Sequence, residues 1–442
     1  MKETAINRIR ELVGNENVIQ YAPEMLKYLK GNGKPLAVVL PGNTSQVSGV
    51  VKLANEMNLK IAVGGNIVDI KGMDGCLALG LGRMNKILEI DRENLVAIVE
   101  PGLSHKEFRQ KVSEAGLDFP PEPFNSFTSS LGGCFAIGGA DSKSFNFGTP
   151  RTYILGWEMV LPTGEILYVG NKCIKNVSGY DLIHFMVGSQ GTLGIFTKLL
   201  IKLLPKPASR QTVLASFASP QKACSVFTTL IARGIYPTRL NLLNWPLAQN
   251  IVAGKPGLNV SSDYLAMVDL EGFKESTRQL SEEIAGVFNL YGASDVQIIK
   301  DCEQYESIWD SWLEVKAGLN SGDSTGVDFF VGPANIGKAL KGLEDITGDL
   351  ANCPGLIVYG FTGNIRLIPN NITAQSLESL LDKINNLAMS LGGNISHSLG
   401  RKLLCKAKND MEMYNEIMNL GNRLRTQFDP KGILAPGVSL WN

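Results

Sequence analysis

The sequence predicts an α+β chain of two domains, and three observations carry that prediction. Residues 35–205 hold short apolar strands punctuated by glycine, among them "PLAVVLP", "KIAVGG", "CLALGLG" and "LVAIVEPG". From about residue 208 the pattern lengthens into strand–helix–strand units with antiparallel returns, the signature of a ferredoxin-like α+β domain. Between them "GIFTKLLIKLLPKP" stops at Pro205 and Pro207, where the first boundary belongs. The predicted organisation is an N-terminal helical segment (1–34), a first domain (35–207), a second, α+β domain (208–425) and a C-terminal tail (426–442) packing back on the first.

Each element has a local reason. In "NTSQVSGVVKLANEM", Val47, Val50, Val51 and Ala54 share one helical face, with Asn43 or Thr44 as N-cap. "LSHKEFRQKVSEAG" carries a capping box, Ser104 with Glu107, and a stripe of Phe108, Val112 and Ala115 that ends at Gly116. Its His105, in the first turn, is expected to face solvent, and His184 in "LIHFMVG" to lie in the core. In the second domain "QTVLASF" leads to a helix begun by Ser219-Pro220, with Ala223, Val226, Phe227, Leu230 and Ile231 in register, then to "TRLNLLN". "YLAMVDLEG" leads to a helix carrying Leu280, Ile284, Val287 and Phe288, then to "DVQIIKD". "GLIVYGF" and "NIRLIP" precede a helix starting near Thr373. The last helix carries Met413, Ile417, Leu420 and Leu424 at helical spacing, a stripe expected to be core.

Composition excludes several function classes. Lys+Arg and Asp+Glu both number 42, so no global field draws in nucleic acid or an anionic membrane. No apolar run approaches the ~20 residues of a membrane span, and the opening residues lack a signal-peptide core. Seven dispersed cysteines without a C-x-x-C suggest reduced thiols in a cytoplasmic protein and argue against an iron–sulfur or zinc site in this chain. Three histidines, His105, His184 and His397, limit any metal or acid–base scheme.

Two stretches are too rich in glycine to be simple connectors: "VGGNIVDIKG" (63–72) and "FPPEPFNSFTSSLGGCFAIGGADSKSFNFG" (119–148). Glycines let backbone N–H groups crowd around an anion, and hydroxyls add donors. Neither fits a G-x-x-x-x-G-K-[ST] or a G-x-G-x-x-G loop. A phosphate cradle and a plain array of tight turns both remain open on composition.

"FPPEP", "SSLGGCFAIGG", "GTPRTYILGWEMVLPTGEI", "IKNVSGYDLIHFMVGSQGTLGI" and the closing "DPKGILAPG" together resemble, in order and spacing, the PCMH-type FAD-binding oxidoreductases (the vanillyl-alcohol oxidase superfamily), and within them the glycolate oxidase/D-lactate dehydrogenase group. The resemblance implies a two-lobed FAD-binding domain capped by an α+β substrate domain. It places Gly64, Gly65, Asn66 and Ile67 in the first flavin loop, with Asn66 where the family usually has a third glycine. Pro121, Glu122, Ser130, Gly132, Gly133, Ala136 and Gly139 match the second loop, Gly194 and Ile195 the adenosine end, and Lys175, Asn176 and Tyr180 a flavin-proximal motif. With no histidine in either loop, the FAD is expected to be non-covalent.

The group's metal-dependent oxidation of a 2-hydroxy acid uses paired histidines in a "GHxGDGNLHP"-like loop, an acid before a later histidine, and an arginine for the substrate carboxylate. Here Phe361 and Ile368 stand at the two histidine positions, Ser396 at the acid and Trp312 at the arginine. No metal is therefore expected. Arg366 and His397 remain as candidate catalytic groups toward an anionic small-molecule substrate. Three functions stay open: an electron-transferring FAD subunit with iron–sulfur or flavoprotein partners, a metal-independent FAD dehydrogenase, and a structural subunit with weak flavin binding.

Overall fold

The structure is a computed structural model that describes residues 2–122, 129–139, 141–174, 179–258, 260, 262–320, 326–348, 350–360, 362–368, 374–396 and 411–438. His397, Lys175, Asn176 and Phe361 lie outside the described residues. The chain divides into two compact units, the first Met1–Ala140, Thr149–Lys206 and Glu412–Asn442, the second Asp141–Gly148 and Pro207–Met411.

The first unit holds a four-stranded and a five-stranded sheet, with two short two-stranded ladders beside them. Strands β1 (Val18–Ile19), β2 (Ala37–Val39), β3 (Ile61–Gly64) and β4 (Leu77–Gly80) form a four-stranded sheet in the order β1-β2-β4-β3, parallel except at β1. Helix α1 (Thr44–Met57) connects β2 to β3 as parallel strands require. Asn43 is its N-cap, accepting from the Gln46 amide at 2.9 Å, and Val47, Val50, Val51 and Ala54 are buried as the spacing predicts. Strands β5 (Ile87–Asp91), β6 (Val96–Val99), β7 (Ile154–Val160), β8 (Ile166–Gly170) and β9 (Ile195–Lys202) form an antiparallel sheet in the order β8-β7-β9-β6-β5. The tail docks on β3: the Ile61 amide donates to Ile433 O at 2.8 Å, and the Ala435 amide donates to Ile61 O at 2.8 Å. Buried Asp429 fixes that tail by accepting from the Ile433 and Leu434 amides.

Helix α2 (His105–Glu114) is capped by Ser104, as its sequence indicates, but His105 does not face solvent. It is fully buried, donates from Nε2 to Pro121 O at 2.7 Å and packs on Phe119. The reason is the Ser104–Ser130 bridge, which closes the start of α2 under the chain around Pro121. His184, expected in the core, is instead part-exposed and paired with Asp181 at 2.7 Å. The last helix, Met411–Phe428, groups from residue 412 with the first unit rather than the second. Its stripe is not core: Ile417, Leu420 and Leu424 are exposed.

The second unit is one eight-stranded antiparallel sheet. Its strands are β10 (Ser209–Phe217), β11 (Arg239–Asn244), β12 (Tyr264–Gly272), β13 (Ser294–Ile299), β14 (Val327–Phe330), β15 (Gly355–Tyr359), β16 (Asn364–Ile368) and β17 (Asn394–Ser396). The spatial order β13-β10-β12-β11-β15-β16-β14-β17 is a βαββαβ unit written twice and joined edge to edge at β11–β15. Helices α3 (Pro220–Ala232) and α4 (Lys274–Leu290) serve the first repeat, α5 (Ile336–Thr347) and α6 (Ala374–Ser390) the second. Both repeats have the strand order of a ferredoxin-like fold, as predicted. Val213, Leu240, Leu242, Val268, Val358, Ile365 and Leu367 point to the helices and form one core with Val226, Phe227, Ile284, Phe288 and Leu340. The intervening residues, Thr212, Arg239, Asn241, Asp269, Tyr359, Asn364, Arg366 and Asp328, alternate to the opposite face.

Candidate functional site

In the first unit the two glycine-rich stretches meet. Strand β3 ends at Gly64, and a Cβ on Gly65 would overlap the Ser130 hydroxyl. Ser130 opens the short helix Leu131–Ile137 and accepts from the Gly133 amide at 3.2 Å. Gly132 lies so close to Pro101 that a Cβ there would stand 2.7 Å from the Pro101 side chain. The stretches differ in what their amides do. Leu131 and Gly132 donate to Leu103 O and Pro101 O, Gly133 to Ser130 Oγ, and Cys134 to Ser130 O. In contrast, the amides of Gly65, Asn66 and Ile67 donate to no described residue. Successive unpaired N–H groups at a glycine turn suit a phosphate. Asn66 and Ile67 are exposed, so the turn is open to solvent.

The other expected cofactor residues differ in burial and contacts. Pro121 and Glu122 are buried, the former held by His105. Ala136 O accepts from the Gln190 amide at 2.9 Å, tying the second stretch to "GSQGTLGI". Gly139 is half-buried, and Tyr180 is 94% exposed. Gly194 packs against Met159, and the Ile195 side chain belongs to the hydrophobic core. Cys134 is a buried thiol.

In the second unit the sheet face opposite the core carries a polar cluster that the sequence analysis missed. Arg239 and Asp269, cross-strand partners on β11 and β12, form an ion pair whose side chains are 3% and 0% exposed. Tyr305 Oη donates to Asp269 at 2.9 Å. The Arg239 guanidinium lies 4.0 Å over the Trp309 ring, and Trp309 Nε1 donates to Thr212 Oγ1. Two residues along β12, Glu271 accepts from Lys143 Nζ at 2.9 Å and pairs with Arg210 at 3.1 Å. Burial pushes Asp269 up to about 6, against the pull of Arg239. Burial acts the same way on Glu271, but Lys143 and Arg210 overcome it and hold that carboxyl at about 2. The available signal was period-two polarity inside apolar strands, as in "TRLNLLN" and "YLAMVDLEG".

Helix α7 (Cys302–Asn320) brings Tyr305, Trp309 and Trp312 to this cluster at helical spacing. Trp312 is fully buried, edge-on to Trp309 at 6.4 Å and to Tyr359 at 6.0 Å. Arg366 stands opposite Asp328 in register, 3.8 Å away, and donates to Leu319 O at 3.1 Å. Burial raises the Asp328 carboxyl and Arg366 opposes the rise. The β15–β16 turn needs its glycine: Gly363 has φ +69°, and a Cβ there would overlap the Val331 carbonyl oxygen. Among the described residues no helix is long and apolar enough to cross a membrane.

Comparison with known proteins matches both units. Residues 35–170 match the FAD binding domain family, and residues 206–438 match the C-terminal domain of FAD linked oxidases. The chain is 30% identical to glycolate oxidase subunit GlcD of Bacillus subtilis, over 91% of this chain and 88% of that one. It is 29% identical to a D-lactate dehydrogenase of Archaeoglobus fulgidus, over 90% of each. Among solved structures, p-cresol methylhydroxylase superposes with a TM-score of 0.72 at 17% identity, covering 98% of this chain and 96% of that one. Two glycine stretches folded against each other, a doubled βαββαβ domain and these matches over nearly the whole length place the chain in the family of FAD-linked oxidases, with a glycolate oxidase subunit and a D-lactate dehydrogenase as relatives.

Proposed function

We propose that this FAD-linked oxidoreductase has lost the metal-dependent 2-hydroxy-acid site of its relatives and exchanges electrons between its flavin and iron–sulfur or flavoprotein partners within a multisubunit complex. The observation that carries the reading is Trp312. Where the family resemblance expects a carboxylate-binding arginine, the chain has an indole that is fully buried between Trp309 and Tyr359. Phe361 and Ile368 at the two histidine positions offer no lone pair to a metal, and the donor set does not fit one. Arg366, the cation of that loop, is engaged by Asp328 and Leu319 O.

The first unit supports non-covalent FAD. The unpaired amides of Gly65, Asn66 and Ile67 fit a pyrophosphate, with Gly64 making the turn and Ser130, Gly132 and Gly133 as its wall. That fit speaks against a purely structural subunit. Bound FAD supplies the redox chemistry; the chain's residues bind it, position it and limit which substrate reaches it.

Anaerobic mixing of the purified, FAD-loaded protein with glycolate or D-lactate tests the reading. The flavin absorption near 450 nm should persist with or without added Zn²⁺ or Mn²⁺, and should bleach on addition of a reduced iron–sulfur ferredoxin. Bleaching by either hydroxy acid would overturn it.

A further inference from the structure

We propose that the polar face of the second unit's sheet binds a small neutral hydroxylated ligand, an alcohol or polyol, through Asn241, Asn364 and Trp312. The inference rests on the reading that hydroxy-acid recognition has left this face, and it adds what took its place.

Strand register puts these residues together. Asn241 on β11 and Asn364 on β16 are the cross-strand neighbours of Tyr359 on its two sides. Residues paired in this way project from the same face with Cβ atoms about 5 Å apart. Trp312 packs edge-on against the same Tyr359 ring, so all three polar groups surround one aromatic side chain.

They also share an unusual state. Both carboxamide atoms of Asn241, the Asn364 Oδ1 and the Trp312 Nε1 are buried without a hydrogen-bond partner among the described residues. Asn241 and Trp312 are both 0% exposed. Nearly all buried polar groups in folded proteins are hydrogen-bonded, and a cluster of exceptions calls for a ligand or water. Nearby Trp309, by comparison, has its indole N–H satisfied by Thr212.

The chemistry of the unpaired atoms selects the ligand. Trp312 and the Asn241 NH₂ donate; the Asn241 and Asn364 oxygens accept. A carboxylate, which only accepts, would face two oxygens. A hydroxyl group donates and accepts at once, and adjacent hydroxyls match this mixed set. The cations on the face are also engaged, Arg239 by Asp269 and Arg366 by Asp328. The rings of Tyr359 and Trp312 offer apolar surface to the ligand's carbon chain.

Calorimetric titration of the FAD-loaded protein with erythritol, and separately with glycolate, tests the proposal. Erythritol should bind saturably at millimolar concentration or below, and at least tenfold more tightly than glycolate. Asn241→Leu, which removes both unpaired atoms at similar volume, should weaken erythritol at least tenfold while the melting temperature stays level or rises. Should that variant fail to fold, Trp312→Phe, which loses the N–H and keeps most of the packing, carries the same expectation. No saturable erythritol binding, with Asn241→Leu only raising the melting temperature, would mean that the amide holds buried water, and the proposal would fall. Preferential glycolate binding would overturn the ligand class. Neither result depends on flavin bleaching, which tests the electron-transfer reading separately.

Discussion

Lys143 and Glu271 form an ion pair of 2.9 Å whose side chains are 1% and 3% exposed, although the residues lie far apart in sequence. The pair draws the excursion Asp141–Gly148 into the second unit, and Phe145 reinforces it by stacking on Tyr236 at 5.9 Å. The excursion begins just after Gly138 and Gly139, so this buried ion pair fixes where the chain passes from one unit to the other.

Removing one partner of a buried pair leaves an uncompensated charge and typically costs 3–5 kcal/mol. Lys143→Met should lie at the low end, about 3 kcal/mol, because Arg210 remains 3.1 Å from Glu271. Glu271→Gln should cost more, since it strips Lys143 and Arg210 of a shared anion. Urea unfolding of the two variants measures the order.

Gly65→Ala should remove FAD without unfolding the chain, because the new methyl would wedge the two glycine stretches apart at Ser130. Far-UV circular dichroism should be unchanged while the flavin-to-protein absorbance ratio falls at least tenfold. Adding Ser130→Gly to that variant removes the obstructing side chain. It should restore much of the flavin content, since glycine at an N-cap costs only a few tenths of a kcal/mol.

The two acids of the polar cluster should pull stability in opposite directions with pH. Asp269, raised to about 6, is a liability when ionised, so its protonation stabilises the protein as pH falls from about 6 toward 4. Glu271, held at about 2, stabilises the protein above its unfolded value, and that contribution is lost as pH falls from about 4.5 to 2. Melting temperature against pH for wild type and Asp269→Asn should differ in slope between pH 4 and 6. Parallel curves there would show that Asp269 is not raised.

Gly363→Ala should be among the most damaging single changes in the second unit. Left-handed strain alone costs about 1–3 kcal/mol. Here the added methyl also meets the Val331 carbonyl, a main-chain atom that cannot rotate away. A loss above about 3 kcal/mol in denaturant unfolding is expected.

Local features were the most legible in the sequence. Asn43, Ser104 and Ser219 each cap the helix that the pattern assigned to them, because a cap acts within three residues of itself. The ferredoxin-like character also followed, since strand–helix–strand periodicity is written along the chain. The fit of Gly65 against Ser130 was not readable, nor was the docking of Lys143 on Glu271, because each depends on long-range closure. His105 was misjudged for the same reason: its helix position points outward until the Pro121 segment covers it. The stripe of Ile417, Leu420 and Leu424 has core spacing but lies exposed, since periodicity gives a helix its apolar face without supplying a neighbour to cover it. In the second unit, Arg239 and Asn241 alternate with Leu240 and Leu242 visibly enough. Only the register across β11, β15 and β16 turns that alternation into one polar row.

The join between the two βαββαβ repeats limits how this domain can be divided. β11 and β15 each close what would otherwise be the other's open edge, through the pairs Asn241–Tyr359, Leu242–Val358 and Leu243–Ile357. A fragment ending between residues 320 and 326 would therefore expose a row of unpaired amides and carbonyls along β11, flanked by apolar side chains. Such an edge recruits whatever strand it meets. Two separately expressed halves are then mutual stoppers, soluble when mixed and prone to self-association when kept apart.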